Sequence, residues 1–242
     1  MSLSGEGDGV KIKNTLLAAA FVVPLQEKGQ WQSLEFSRIP ANKVEFSQEK
    51  GLNIAVNSSA SPLIFPLPEV KKLSAVEVKG EFQGQVKLKE GQVQGDGAAD
   101  DYIFRLGLVL KGEQRLNFVQ RRIAAKWIRT LFDLAPPNMG VDHILFLNVG
   151  QMDEQVGRKR AHPLSDLLKE HVVWKHNGDG PFEYRHEFDQ PVEVVALWLS
   201  SDGDDTKSSF KVNLSEIRLH QADSGEVKSQ SLRTPAQGPS GQ

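Results

Sequence analysis

Three carboxylates fall within four residues in Asp202-Gly203-Asp204-Asp205-Thr206, with a glycine that permits a tight bend. Carboxylate oxygens at that density can converge on a hard cation such as Ca2+, which takes about six to eight oxygen ligands. The stretch lacks the longer loop and closing Glu of an EF-hand. The same residues also serve a solvated turn for backbone reasons alone. A second acidic group, Asp96-Gly97-Ala98-Ala99-Asp100-Asp101, leads into an apolar strand that carries Arg105. Alternation puts Asp101 and Arg105 on one face. A buried Arg in a sheet needs an acid from another strand, since an unpaired buried charge costs about 3–5 kcal/mol. Asp100, Asp101 and Arg105 therefore read either as one wall of a sugar-binding cleft or as a structural ion pair.

Aromatic rings could supply the flat surface a sugar stacks on. The candidates are Trp31, Trp174, Tyr184 and Trp198. Trp198 alternates with Val194 and Ala196 in the most apolar strand and reads as core. Trp174, beside Lys175 and His176, reads as the surface platform. The six histidines form no H-E-x-x-H or H-x-H pair, and Cys is absent, so local spacing does not indicate zinc. There is no nucleophile elbow, phosphate loop or dinucleotide fingerprint. A glycoside hydrolase or lyase would need two carboxylates about 5–10 Å apart across a cleft. Asp101 with Glu183 or Glu187 would be that pair.

These groups must be positioned by strands. The dominant period along the chain is 2, which sends alternate side chains to opposite faces of a sheet. It is clear in Leu73–Gly84, in Asp101–Leu110 and in Phe182–Phe188, while Val192–Ser200 is apolar on both faces. Shorter strands are expected at Trp31–Phe36, Lys43–Phe46, Leu52–Asn57, Val86–Lys89, His143–Val149, His171–Lys175 and Ser208–Leu219. Asn177–Gly180 (NGDG) has the composition of a hairpin turn. About ten strands with few helices imply a jelly-roll-like antiparallel β-sandwich. One amphipathic helix is expected over residues 117–134. Val119, Ile123, Trp127, Leu131 and Leu134 would face the sandwich, and Arg121, Arg122, Lys126 and Arg129 would face solvent or an anionic surface. A second short helix is expected over Pro163–Glu170.

The chain has 242 residues and a net charge of −2, with 39% hydrophobic residues. That balance suits one globular domain, expected over residues 30–220, and argues against a protein built to grip nucleic acid. Residues 221–242 are rich in Ser, Gly, Gln and Pro and read as a disordered tail. Residues 11–25 pair cations with an apolar run, the shape of a secretory signal, which implies a periplasmic or secreted protein. The other reading of Leu16–Leu25 is an apolar strand or short helix lying on the domain. No run is long enough to span a membrane.

The order of motifs resembles a bacterial family of unknown function, numbered 3047. It is carried by Trp31–Ile39, the stretch LNIAVNSSASPLIFPL from Leu52, and the strand led by Asp100-Asp101 and followed by Arg105. His143–Gly150, Val172–Trp174 and the Ser200–Thr206 turn continue it. The resemblance implies an exported β-sandwich and no activity. Together these readings point to a non-enzymatic module for a saccharide or envelope component, rimmed by Asp100, Asp101, Arg105 and Trp174. Ca2+ at Asp202, Asp204 and Asp205 is the cofactor reading. The alternatives are a glycoside hydrolase or lyase, and an assembly module docking through the basic helix.

Overall fold

Alternation in the sequence becomes eleven strands and two short α-helices in a computed structural model that describes residues 20–222 apart from Leu164. The strands are β1 (Ala20–Val22), β2 (Gln32–Ser33), β3 (Lys43–Ser47), β4 (Gly51–Asn57), β5 (Leu63–Gln85) and β6 (Arg105–Gly112). The helices α1 (Phe118–Ile123) and α2 (Lys126–Asp133) follow. Then come β7 (Gly140–Gly150), β8 (Lys159–His162), β9 (Ser165–Lys175), β10 (Gly180–Ser200) and β11 (Ser209–Gln221). Hydrogen bonding links them in the order β3-β4-β11-β5-β10-β6-β7-β9-β8, with β1 on β11 and β2 on β5. The fold is mostly β, as expected, and the continuous sheet folds over into a sandwich. Pairing is antiparallel except between β7 and β9. The expected tail at 221–242 lies, from Asp223 on, outside the described residues.

The inner core draws on both layers. Leu52, Ile54, Val76, Val78, Phe82, Val212 and Leu214 meet Leu106, Leu108, Leu147, Val149, Leu197 and Leu199, all buried. An aromatic seam joins β9 to β10: Trp174 stacks on Tyr184 at 5.3 Å and Tyr184 on Phe182 at 4.9 Å. Across it the Tyr184 hydroxyl donates to the Lys175 carbonyl at 2.9 Å, and the Trp174 indole N–H to that of Arg185 at 3.2 Å. Trp174 is therefore an inner-layer residue and not the exposed platform its charged neighbours suggested.

The outer face of β10, β6 and β7 is apolar too. Ala196, Trp198, Val109, Ile144 and Phe146 are covered by Leu34 and by Leu131 of α2. The expected single helix is broken at Ala124 and Ala125, both extended, so that α2 can turn Leu131 onto this face. Alanine favours helix, so the break reflects packing and not local preference. Three further expectations are corrected. Residues from Ser165 onward form β9 and not a helix, because pairing with β7 supplies a full ladder. The Asn177–Gly180 turn closes no hairpin, since β9 and β10 are not paired neighbours. The folded unit also begins earlier than Gln30. β1 pairs with β11, and Val23 and Leu25 are core residues.

Candidate functional site

A β-bulge sets the site. The register of β10 slips between Val194 and Ala196 against both β5 and β6. That slip changes which side each later residue faces. Val194 points into the inner core, whereas Ala196 and Trp198 point to the outer face. Gly107 of β6 lies opposite Trp198 and Phe146 in register. A Cβ there would meet Phe146 Cε1 and the Trp198 carbonyl at 2.7 Å, so glycine leaves room for both rings. Past the edge of this aromatic patch opens a pocket of about 480 Å3. Trp127, Phe146, Trp198 and Phe36 form its apolar wall, and Asp100, Arg105, His162, Asp202 and Asp204 its polar floor.

Arg105 is the hub of the floor. Its Nε donates to Asp202 Oδ2 at 2.6 Å, its Nη1 to Glu170 of β9, and its Nη2 to the Asp100 carbonyl at 2.7 Å and to Asp100 Oδ1 at 3.3 Å. The guanidinium also sits 4.4 Å over the Tyr102 ring. Burial disfavours its charge, yet Asp202, Glu170 and Asp100 outweigh burial and hold its pKa above the ordinary value. Arg160 of β8 adds a second fork, pairing with Glu170 through Nε and with Asp100 Oδ1 at 2.8 Å. His162 Nε2 lies 2.8 Å from Asp100 Oδ2. Only a planar guanidinium can serve three acids in fixed directions, so lysine is not an equivalent here.

Carboxylates outnumber these cations, and the protonation pattern follows. Burial alone would raise Asp100, but His162, Arg105 and Arg160 reverse it and hold the carboxyl below its usual range. Burial raises Asp202, and Arg105 and the Ser200 hydroxyl draw it back only in part. Asp204 has no such cation. Burial, then Asp101, Asp205 and Asp202, push it from 3.8 up to about 6.

The sequence-expected residues divide accordingly. Asp100 and Arg105 do reach the pocket. Asp101, wholly buried, instead anchors the acidic turn. It accepts from the Thr206 N–H at 2.7 Å and hydroxyl at 2.6 Å, and from the Asp205 N–H at 3.4 Å. Asp202 is spent on Arg105 and Ser200, while Asp204 lines the pocket and Asp205 is exposed. Among the described residues, the three donors that lie within 4.8 Å of one another are Asp100, His162 and Glu170, and guanidiniums already hold both carboxylates. The pair considered for glycoside cleavage is not assembled. Asp101 is sealed in the turn, and Glu183 and Glu187 are exposed partners of Lys79 and Arg185. Trp127 and Phe36 as site residues, and the outward turn of Trp198, were not foreseen. They come from separate segments, and only the bulge reveals the last.

No protein-family model matches the chain, and no curated protein sequence matches it. Among solved structures it is similar to the CBM22-1 xylan-binding domain of Paenibacillus barcinonensis Xyn10C. The identity is 13%, covering 85% of this chain and 97% of that one, with a TM-score of 0.33. It is also similar to the exoplasmic/lumenal domain of VIP36 in its Ca2+/Man-bound form. There the identity is 10%, covering 86% and 91%, with a TM-score of 0.34. At those TM-scores neither likeness bears on what this chain binds.

Proposed function

We propose that the chain binds a saccharide, or an envelope component that carries one, in the pocket beneath Trp127. The observation behind this reading is the pairing of an aromatic wall with a carboxylate floor in one cavity of about 480 Å3. A sugar ring has an apolar C–H face and a rim of hydroxyls, and a site for it needs both surfaces close together. The floor is rich in carboxylates and its arginines are already paired, which favours neutral or amino sugars over uronic acids. Replacing Trp127 with Ala removes a wall residue that is only partly buried. At about 0.5–1.5 kcal/mol for an aromatic contact, affinity should fall up to tenfold. Calorimetric titration with neutral, amino and acidic oligosaccharides measures it. Equal binding by W127A, or binding confined to uronic acids, would sink the proposal.

A second reading, glycoside cleavage, is favoured by Asp204. A carboxyl held at about 6 beside carboxylates ionised by arginine has the protonation of a general acid. Release of reducing sugar from a bound oligosaccharide, abolished in Asp204→Asn, would replace simple binding with this one. For Ca2+, the donors without an ion-pair partner among the described residues are Asp204 and Asp205. A thermal shift with Ca2+ that a chelator and Asp204→Ala both remove is the result expected of a site there, and an unshifted melt discards it. Membership of the unknown-function family and export stay part of the same proposal. Since Val23 and Leu25 are core, any leader would have to end before Ala20, which N-terminal sequencing of the native protein reads directly.

A further inference from the structure

The chain's charge is not evenly spread. Between Arg115 and Met139 lie five cations, Arg115, Arg121, Arg122, Lys126 and Arg129, against one acid, Asp133, although the whole chain carries −2. In the middle of this basic stretch α1 buries none of its residues. Phe118, Val119 and Ile123 are 75%, 66% and 81% exposed, the three most exposed large apolar side chains among the described residues. Of the stripe expected to pack on the sandwich, Leu131 does so and Trp127 and Leu134 lie against the same cluster, whereas Val119 and Ile123 point into water. The tip is nonetheless held in shape. The Asn117 side chain accepts from the Gln120 N–H at 2.8 Å, Gln120 Oε1 accepts from the Asn117 N–H at 2.9 Å, and Arg121 pairs with Asp133. Arg122 lies 5.6 Å over the Phe118 ring. Among the described residues, Arg122, Lys126 and Arg129 have no carboxylate within ion-pair distance.

We propose that this tip docks on an anionic lipid surface. Phe118, Val119 and Ile123 enter the boundary between headgroups and acyl chains, while Arg122, Lys126 and Arg129 face lipid phosphates. Apolar insertion and cation attraction are the two signals that stable interfacial attachment combines. An acidic polymer would use the cations and leave the apolar tip in water, so it accounts for half of the arrangement. This inference is independent of the saccharide reading, although Trp127, next to Lys126, would bring the pocket close to the lipid headgroups.

The test is co-sedimentation of the full chain with phosphatidylcholine vesicles, with and without about 30% phosphatidylserine. Binding is expected on the anionic vesicles and at least tenfold weaker on neutral ones. The variant F118S/V119S/I123S should lose at least tenfold. R122Q/K126Q/R129Q should lose about fivefold for each cation removed. Five of the six side chains are exposed, and Arg129, half-buried, has no ion-pair partner to lose among the described residues, so both variants should keep close to the wild-type thermal midpoint. Ile123→Ser alone, at the most exposed position, gives a smaller loss in the same direction. Absence of binding to anionic vesicles overturns the proposal. So does undiminished binding by F118S/V119S/I123S, which would leave a purely ionic contact that polyglutamate should then displace.

Discussion

Ionisation of Asp204 works against the fold. Its folded pKa, about 6, lies above its ordinary 3.8, so the folded chain binds that proton more tightly than the unfolded chain does. The resulting stabilisation is complete below pH 3.8, declines as pH rises through 6, and is gone above it. Asp204→Asn should therefore stabilise the protein at pH 8 and change little at pH 4. Two pH units correspond to about 3 kcal/mol before screening, and for a half-exposed side chain about 1 kcal/mol is the expected gain. Urea denaturation at both pH values checks it, and an equal effect at each would show that the shift has another origin. Asp100 has the opposite sign. Its pKa is held down, so its contribution is present above pH 3.8 and lost as pH falls further. At this scale the sequence was informative about identity and silent about partners. The need of Arg105 for an acid from another strand was legible, and Glu170 supplies one. That Asp101 would be occupied with Thr206 was not, because that bond spans 105 positions of sequence.

The strand elements follow the alternation closely where one face is wet. β3, β4 and β11 begin and end within a few residues of the expected positions, and so does β7, although both its faces are covered. The errors fall where pairing overrides local pattern. Leu167 and Leu168 after Pro163 have the look of a helix start, yet a parallel ladder with β7 draws them into β9. The Phe182 and Val192 segments, expected as two strands, fuse across an irregularity into β10. The bulge at Val194–Ala196 cannot be read from a sequence apolar on both sides, and it decides which way Trp198 faces. β6 tests this geometry. Gly107→Ala puts a methyl group 2.7 Å from Phe146 Cε1 and the Trp198 carbonyl and 2.9 Å from Ile144 Cγ2. Overpacking of that kind costs about 1–3 kcal/mol. A urea midpoint unchanged by this substitution would mean that the outer face is looser than the register implies.

For the whole molecule, β5 and β10 matter most. They span 23 and 21 residues and pair with each other along most of their lengths. Because these strands run through both layers, neither layer has a boundary at which it could come apart alone. Unfolding should then be a single transition. Tryptophan fluorescence, with Trp31 and Trp174 in the inner core and Trp127 and Trp198 on the outer face, and far-ultraviolet circular dichroism should share one midpoint, and two separated midpoints would contradict the shared-strand architecture. The overall class was legible because period 2 pervades the chain, whereas the pocket was not, because its walls come from seven separate stretches of sequence. The pairing of β1 with β11, Ala20 opposite His220, carries a topological consequence. Residues 20–22 and 218–220 lie side by side, so in a chain trimmed to this folded unit a short splice could join them and the loop at Asn177–Gly180 could be cut open without unpairing a ladder. Cargo fused to either end of such a trimmed unit would leave from the same corner.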